Sequence, residues 1–181
     1  MPVDLDQVRF WQYYGNNKFA YDLSKKGQMW YSCAQGLHAG LDFGNASTKG
    51  VPIYAGIEGK FYKHDTKRTR PNGLWVQVGE YIVIYGHVTN PRHFDVGQPI
   101  HVDTVMGEID FGGQNHLHLE VRLQGKWIVN PLLLMPESMR EAIIQKFPPG
   151  DKYFYQSGRW SRWKTPLEQP VLVLGGGLIE P

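Results

Sequence analysis

Seven histidines are spread along the 181 residues, His38, His64, His87, His93, His101, His116 and His118, and they are the candidates for metal-assisted chemistry. A catalytic zinc takes three protein ligands from His, Asp or Glu and keeps a fourth position open. His38 and Asp42 stand four apart in the run 36–44 (GLHAGLDFG), where three glycines make a helix costly and favour an extended or turning backbone. Even spacing on an extended segment puts both side chains on one side. The pair alone is a weak signal: seven His and nine Asp in such a chain produce roughly 0.3 pairs of this spacing by chance.

His116 and His118 fall in the segment 116–123 (HLHLEVRL), which alternates with a period of two over its whole length. As a strand it sends Leu117, Leu119, Val121 and Leu123 to one face and His116, His118, Glu120 and Arg122 to the other. Two imidazoles then stand side by side. A plain alternative is a half-exposed sheet with both histidines in solvent. Glu120 is either an outer partner of His118 or one half of a salt bridge with a surface Lys or Arg. His87 closes the apolar run 81–87, and the adjacent Gly86 lets another strand or a ligand come close; by itself it reads as an ordinary strand-end histidine. His64, His93 and His101 have neighbouring aspartates (Asp65, Asp95, Asp103) but neither the glycine frame nor a paired histidine, and are assigned to loops and turns.

The elements that must position these groups are short strands. Twelve prolines and 21 glycines are scattered between brief apolar runs, the texture of a mainly β domain. Val51 to Ile57, Gly59 to Lys63 and Leu74 to Val78 read as strands, and Tyr81 to His87 as one buried on both faces. The sequence 124–126 (QGK) predicts a hairpin turn into Trp127 to Val129. After Asn130-Pro131, Pro136 opens a helix whose Met139, Ala142, Ile143 and Phe147 share a face, ended by Pro148-Pro149. The aromatic clusters at 10–14 and 153–163 suit core or interface packing better than a binding surface. Residues 151–181 read as an extension ending in the apolar run Val171 to Leu174.

Composition bounds the function. A chain of 181 residues with 41% hydrophobic and 20% charged residues builds one ordinary globular core. A net charge of +2, with no basic cluster beyond Lys67, Arg68 and Arg70, argues against nucleic-acid binding. The lone Cys33 excludes an internal disulfide and a cysteine zinc site, so a metal must rest on His and carboxylate ligands. Residues 1–30 carry no apolar stretch of signal-peptide length, and no segment approaches the ~18 apolar residues of a membrane span.

Taken together, Gly-x-His-x-Gly-x-Asp-Phe at 36–43, Tyr-Gly-His at 85–87 and His-Leu-His-Leu-Glu-Val at 116–121, in that order, resemble the three signature blocks of the M23, lysostaphin-like metallopeptidases. The connecting text is similar too, in Gly50 to Ala55, Glu58 to Lys60, Val96 to Gln98 and Val129 to Pro131. The resemblance covers about residues 36–131 and implies a zinc peptidase core, flanked by an N-terminal extension (1–35) and a C-terminal helix and aromatic-rich extension (132–181). It implies an antiparallel, two-layer or sandwich-like β fold with an open groove over one sheet and one short C-terminal helix. It makes His38, Asp42 and His118 the ligands of one Zn2+ per chain and His87 and His116 the catalytic histidines. One sequence feature departs from the family pattern: the approach to the histidine pair, 112–115 (GGQN), where the family has a small Ser/Thr/Gly/Pro-rich turn at the groove's edge.

The activity so implied is hydrolysis of peptide bonds, in the peptide part of bacterial peptidoglycan or another peptide substrate, in the cell envelope or outside the cell. Two imidazoles and one carboxylate leave the ion a net positive charge, able to lower a water's pKa from 15.7 to about 7 and to polarise a carbonyl. Two other classes compete. A non-catalytic relative that binds wall or a partner protein would normally lack one of the five residues. A histidine phosphocarrier on a similar β scaffold has no use for Asp42.

Overall fold

The structure, a computed structural model, describes residues 1–12, 14–15, 38–66, 72–111 and 115–146, with the backbone of Leu172–Val173. Among these residues the short apolar runs form eleven strands: β1 (Val8–Gln12), β2 (Gly40–Asn45), β3 (Val51–Tyr54), β4 (Gly59–Asp65), β5 (Gly73–Val78), β6 (Tyr81–Gly86), β7 (Pro99–Ile100), β8 (Val105–Ile109), β9 (His116–Leu123), β10 (Trp127–Val129) and β11 (Leu172–Val173). A 3-10 turn (Pro131–Leu134) and one helix, α1 (Glu137–Gln145), follow β10.

Nine strands form one open antiparallel sheet in the order β1-β2-β9-β6-β5-β4-β7, with β10 pairing on β9 and β11 on β10. The alternating segment 116–123 is the hub. β6 pairs along it from His118 to Leu123, while on the other side β2 takes its first half and β10 its second. The turn into β10 has Gln124 at φ 50° and Gly125 at φ 66°, the left-handed pair that matches strand twist in a tight hairpin.

One face of the large sheet and the β3–β8 ribbon share a core. Leu41, Phe43, Leu74, Val76, Leu117 and Leu119 from the sheet and Val51, Ile53, Met106 and Ile109 from the ribbon are all buried in one cluster, with Ile143 of α1 closing it. The opposite face of the sheet carries a smaller cluster of Trp75, Ile82 and Ile84. β6 is therefore apolar on both faces, as its uninterrupted hydrophobic run requires.

The sequence expectations differ from the structure at a few edges. The strand beginning at Val51 stops at Tyr54, because Gly56 turns the chain with φ 69°. β4 runs on past a bulge to Asp65, pairing His64 with Leu74, so His64 is a strand residue and not part of a loop; its ladder hydrogen bonds outweigh local turn preference. His93 and His101 do lie between strands, His101 against Glu58 at 3.0 Å. β1 joins the sheet at its edge through β2, and the Tyr14 hydroxyl donates to the Ile128 carbonyl at 2.8 Å, so the N-terminal stretch is tied to both ends of the sheet's centre. Cys33, Lys67, Arg68, Arg70, Gly112 to Gln114, Phe147 to Pro149 and the 153–163 aromatic cluster lie outside the described residues.

One glycine sets how closely the two site-bearing strands approach. A Cβ on Gly40 would stand 2.3 Å from the Leu119 carbonyl oxygen and 3.0 Å from Cε1 of His118. Backbone cannot yield there without moving β2 off β9. Gly40→Ala is expected to cost about 1–3 kcal/mol of stability through this overpacking, measured by denaturant titration of the metal-free protein; an unchanged midpoint would show that β2 has slack the structure does not suggest.

Candidate metal centre

Three ligand atoms converge where β2 meets β9. Asp42 and His118 are direct cross-strand partners, and His38 lies two residues ahead of β2 on the same side as Asp42. His118 Nδ1 is 2.8 Å from Asp42 Oδ1 and 3.1 Å from His38 Nε2, and His38 Nε2 is 3.1 Å from Asp42 Oδ1. The backbone of His38 is held in place by the Gly15 N–H, which donates to its carbonyl at 2.7 Å. On the other flank of His118 stands Gly86 of β6, whose missing side chain leaves room beside the imidazole.

This donor set fits a zinc ion. Bonds of about 2.0–2.1 Å in a tetrahedron place ligand atoms about 3.3 Å apart, so the three atoms need to spread by only a few tenths of an ångström. Among the described residues His38, Asp42 and His118 are the one group of His, Cys, Asp or Glu able to hold a metal. Exposure rises from the Asp42 side chain at 5% to 13% for His118 and 21% for His116.

Charge is arranged to match. Burial pushes the Asp42 carboxyl up, but the charge of His38 and hydrogen bonds from His118 and His38 hold it well below the usual carboxylate range. Burial likewise pulls His118 down, yet hydrogen bonds to Asp42 and Glu120 and the charges of both outweigh it and raise the metal-free imidazole to about 9. Behind His118, its Nε2 is 3.3 Å from Glu120 Oε2, and Glu120 Oε1 accepts from Arg122 Nε at 2.6 Å. Both alternatives for Glu120 therefore hold together, and the pair is buried where the sequence suggested a surface.

His116 and His87 stand beside the cluster without joining it. Their rings are 4.6 Å apart, His87 is 6.2 Å from His118, and His116 Nε2 is 3.7 Å from Asp42 Oδ2. His87 has φ 60°, a left-handed conformation rare outside glycine, just where β6 ends. Sequence periodicity does not single out Trp11, yet at the bulge of β1 its ring packs 5.0 Å from His116 and over Gly44, where a Cβ would be only 2.2 Å from its Nε1. The only signal for it was its membership of an aromatic cluster.

The fold is shared with known structures. The chain is similar to a zinc-containing peptidase from Vibrio cholerae, at 21% identity and TM-score 0.54, over 71% of this chain and 37% of that one, so the match spans little more than a third of that relative. It is similar to the catalytic domain of a point mutant of the prophage-encoded M23 protein EnpA from Enterococcus faecalis (19% identity, TM-score 0.54, 72% of this chain and 93% of that one). It also resembles a chain of the SpoIIIAH and SpoIIQ complex (20% identity, TM-score 0.57, 75% and 98%). No curated protein matches the chain significantly in sequence. The model of peptidase family M23 matches residues 36–131, which is over half of the chain and takes in every residue of the cluster and both neighbouring histidines; the chain belongs to that family.

Proposed function

We propose that this chain is a zinc-dependent metalloendopeptidase that hydrolyses peptide bonds in the peptide part of bacterial peptidoglycan, working in the cell envelope or outside the cell. The observation that carries the proposal is the convergence of His38 Nε2, Asp42 Oδ1 and His118 Nδ1 at one end of the sheet, with His116 and His87 on the rim. In this scheme residues 36–131 form the peptidase core, with 1–35 and 132–181 as its flanks.

His38, Asp42 and His118 hold the ion. When bound, zinc supplies a Lewis acid that polarises the scissile carbonyl and acidifies a water. His116 Nε2 lies 3.7 Å from Asp42 and the His87 ring 6.2 Å from that of His118, both outside the ligand set, and between them they would orient the attacking water, donate to the developing oxyanion and pass a proton to the leaving amine. Trp11 keeps the His116 ring from swinging away by packing against it. No described helix is long and apolar enough to cross a membrane.

The test is digestion of purified cell wall by the zinc-loaded protein, with released amines counted over time. Steady release that stops on chelation is expected. A zinc-loaded protein that sediments with wall yet releases nothing favours the second function, a binding module, which the SpoIIIAH and SpoIIQ complex makes worth testing because a protein of this fold is found there with a partner.

A further inference from the structure

We propose that Glu120 and Arg122 form a buried positioning pair that holds the Nε2 proton of His118 in place and so makes Nδ1 the nitrogen given to the metal, with zinc affinity set partly from behind the ligand. The proposal rests on the metal-binding role of His118 given above.

The alternation of β9 places His118, Glu120 and Arg122 in one row on the face of the sheet opposite the main core. A neutral imidazole has one N–H and one lone pair, and which nitrogen carries the proton decides which can bind a metal. Nδ1 faces Asp42 and His38, at 2.8 and 3.1 Å. Nε2 faces a carboxylate oxygen at 3.3 Å. An ionised carboxylate only accepts, so in the metal-free protein each ring nitrogen has a carboxylate to hold its proton, Asp42 at Nδ1 and Glu120 at Nε2; a metal shared with Asp42 and His38 would take the place of the Nδ1 proton, while Glu120 keeps the one on Nε2.

Glu120 can play this part because it is itself held. It is fully buried, and a buried carboxylate without partners is strongly unfavourable. Its other oxygen accepts a 2.6 Å hydrogen bond from Arg122 Nε, so the charge is matched and the carboxylate plane is fixed. Arg122 is 8% exposed, and its guanidinium carbon lies 5.1 Å from the centre of the Trp75 ring. Strand pairing puts Ile84 opposite Glu120 on β6 and Gly40 opposite it on β2, and Ile82 opposite Arg122. The row from His118 to Trp75 is therefore enclosed by apolar neighbours, where hydrogen bonds are strong and poorly replaced by water.

Zinc affinity, measured by competition with a chromophoric chelator, separates this proposal from the site assignment beneath it. Wild-type protein should bind one zinc; if it takes none, the assignment of the site fails and the proposal with it. If wild type binds, Glu120→Gln should weaken zinc about 10–100-fold while the far-UV circular dichroism of the metal-free protein stays that of a folded β domain. Arg122→Lys, which keeps the charge but loses the aligned Nε–H, should fall between the two. Equal affinity for wild type and folded Glu120→Gln overturns the proposal alone. Should Glu120→Gln not fold, nitrogen-resolved NMR of the zinc-loaded wild type decides: a slowly exchanging His118 Nε2–H supports the lock, and either zinc on Nε2 or an Nε2–H exchanging as fast as an exposed imidazole refutes it.

Discussion

His118→Ala is expected to empty the metal centre. Wild-type protein purified without added metal should carry about one zinc per chain by elemental analysis, and the variant close to none. The size of the effect follows from the ligand count: if three ligands share about 12 kcal/mol of apparent zinc binding, removing one costs about 4 kcal/mol, or on the order of a thousandfold in affinity. His118 is also the ligand that makes binding depend on pH. In the metal-free protein its imidazole titrates at about 9, held charged by Asp42 and Glu120 against the pull of burial. Zinc must displace a proton from it, so affinity should rise about tenfold per pH unit from pH 7 to 9 and flatten above.

Stability should respond in the opposite sense. His118 has a folded pKa above its unfolded value of 6.5, so its contribution is fully present below about 6.5 and is lost as pH rises through about 9. Asp42 is lowered from 3.8, so its contribution is present above that value and lost only as pH falls through its depressed pKa. Between pH 6.5 and 9 the metal-free protein should therefore lose stability while zinc affinity grows, and the gap in Tm between zinc-loaded and metal-free samples should widen across that window. A gap that narrows instead would mean that His118 does not carry the displaced proton.

Replacing His116 or His87 should separate catalysis from metal binding. Neither belongs to the ligand triple, so zinc content should stay near one per chain in His116→Ala and His87→Ala. Peptide hydrolysis should fall about 10²–10⁴-fold in each, the range for loss of a positioned proton-transfer or oxyanion-stabilising group. The two rings are 4.6 Å apart, and if both serve the same step, as proposed, the double variant should lose much less than the product of the single losses. Loss of zinc from His116→Ala would instead make it either a ligand itself or a support for Asp42, whose Oδ2 it approaches at 3.7 Å. The measurement is kcat on a fixed peptide substrate alongside zinc stoichiometry of the same samples.

Much of this was legible in the amino-acid sequence because it depends on local periodicity. The strict alternation at 116–123 makes His116 and His118 share a face whatever surrounds the strand, and the same parity places Glu120 and Arg122 with them. The unbroken apolar run at 81–86 read as a strand covered on both sides, which β6 is. Glycine spacing around His38 and Asp42 made a helix costly there, and the 124–126 segment resembled a hairpin turn whose φ values the structure supplies.

Pairing across long separations was decided only by the tertiary structure. Nothing in the spacing of Asp42 and His118, 76 residues apart, makes them direct neighbours; that depends on β2 docking on β9 in one register, where a slip by a single residue would turn Asp42 to the other face. The burial of Glu120 and Arg122 was likewise invisible, since period two assigns a face but not what covers it, and here Trp75, Ile82 and Ile84 build a second apolar cluster on the polar side. Trp11 reaches His116 because β1 adds to the sheet's edge with a bulge at that residue, and His64 sits on a strand because β5 offers it a partner. Side-chain parity is a property of a few consecutive residues, whereas neighbours, burial and the charge state of His118 arise only when strands far apart in the chain are brought together.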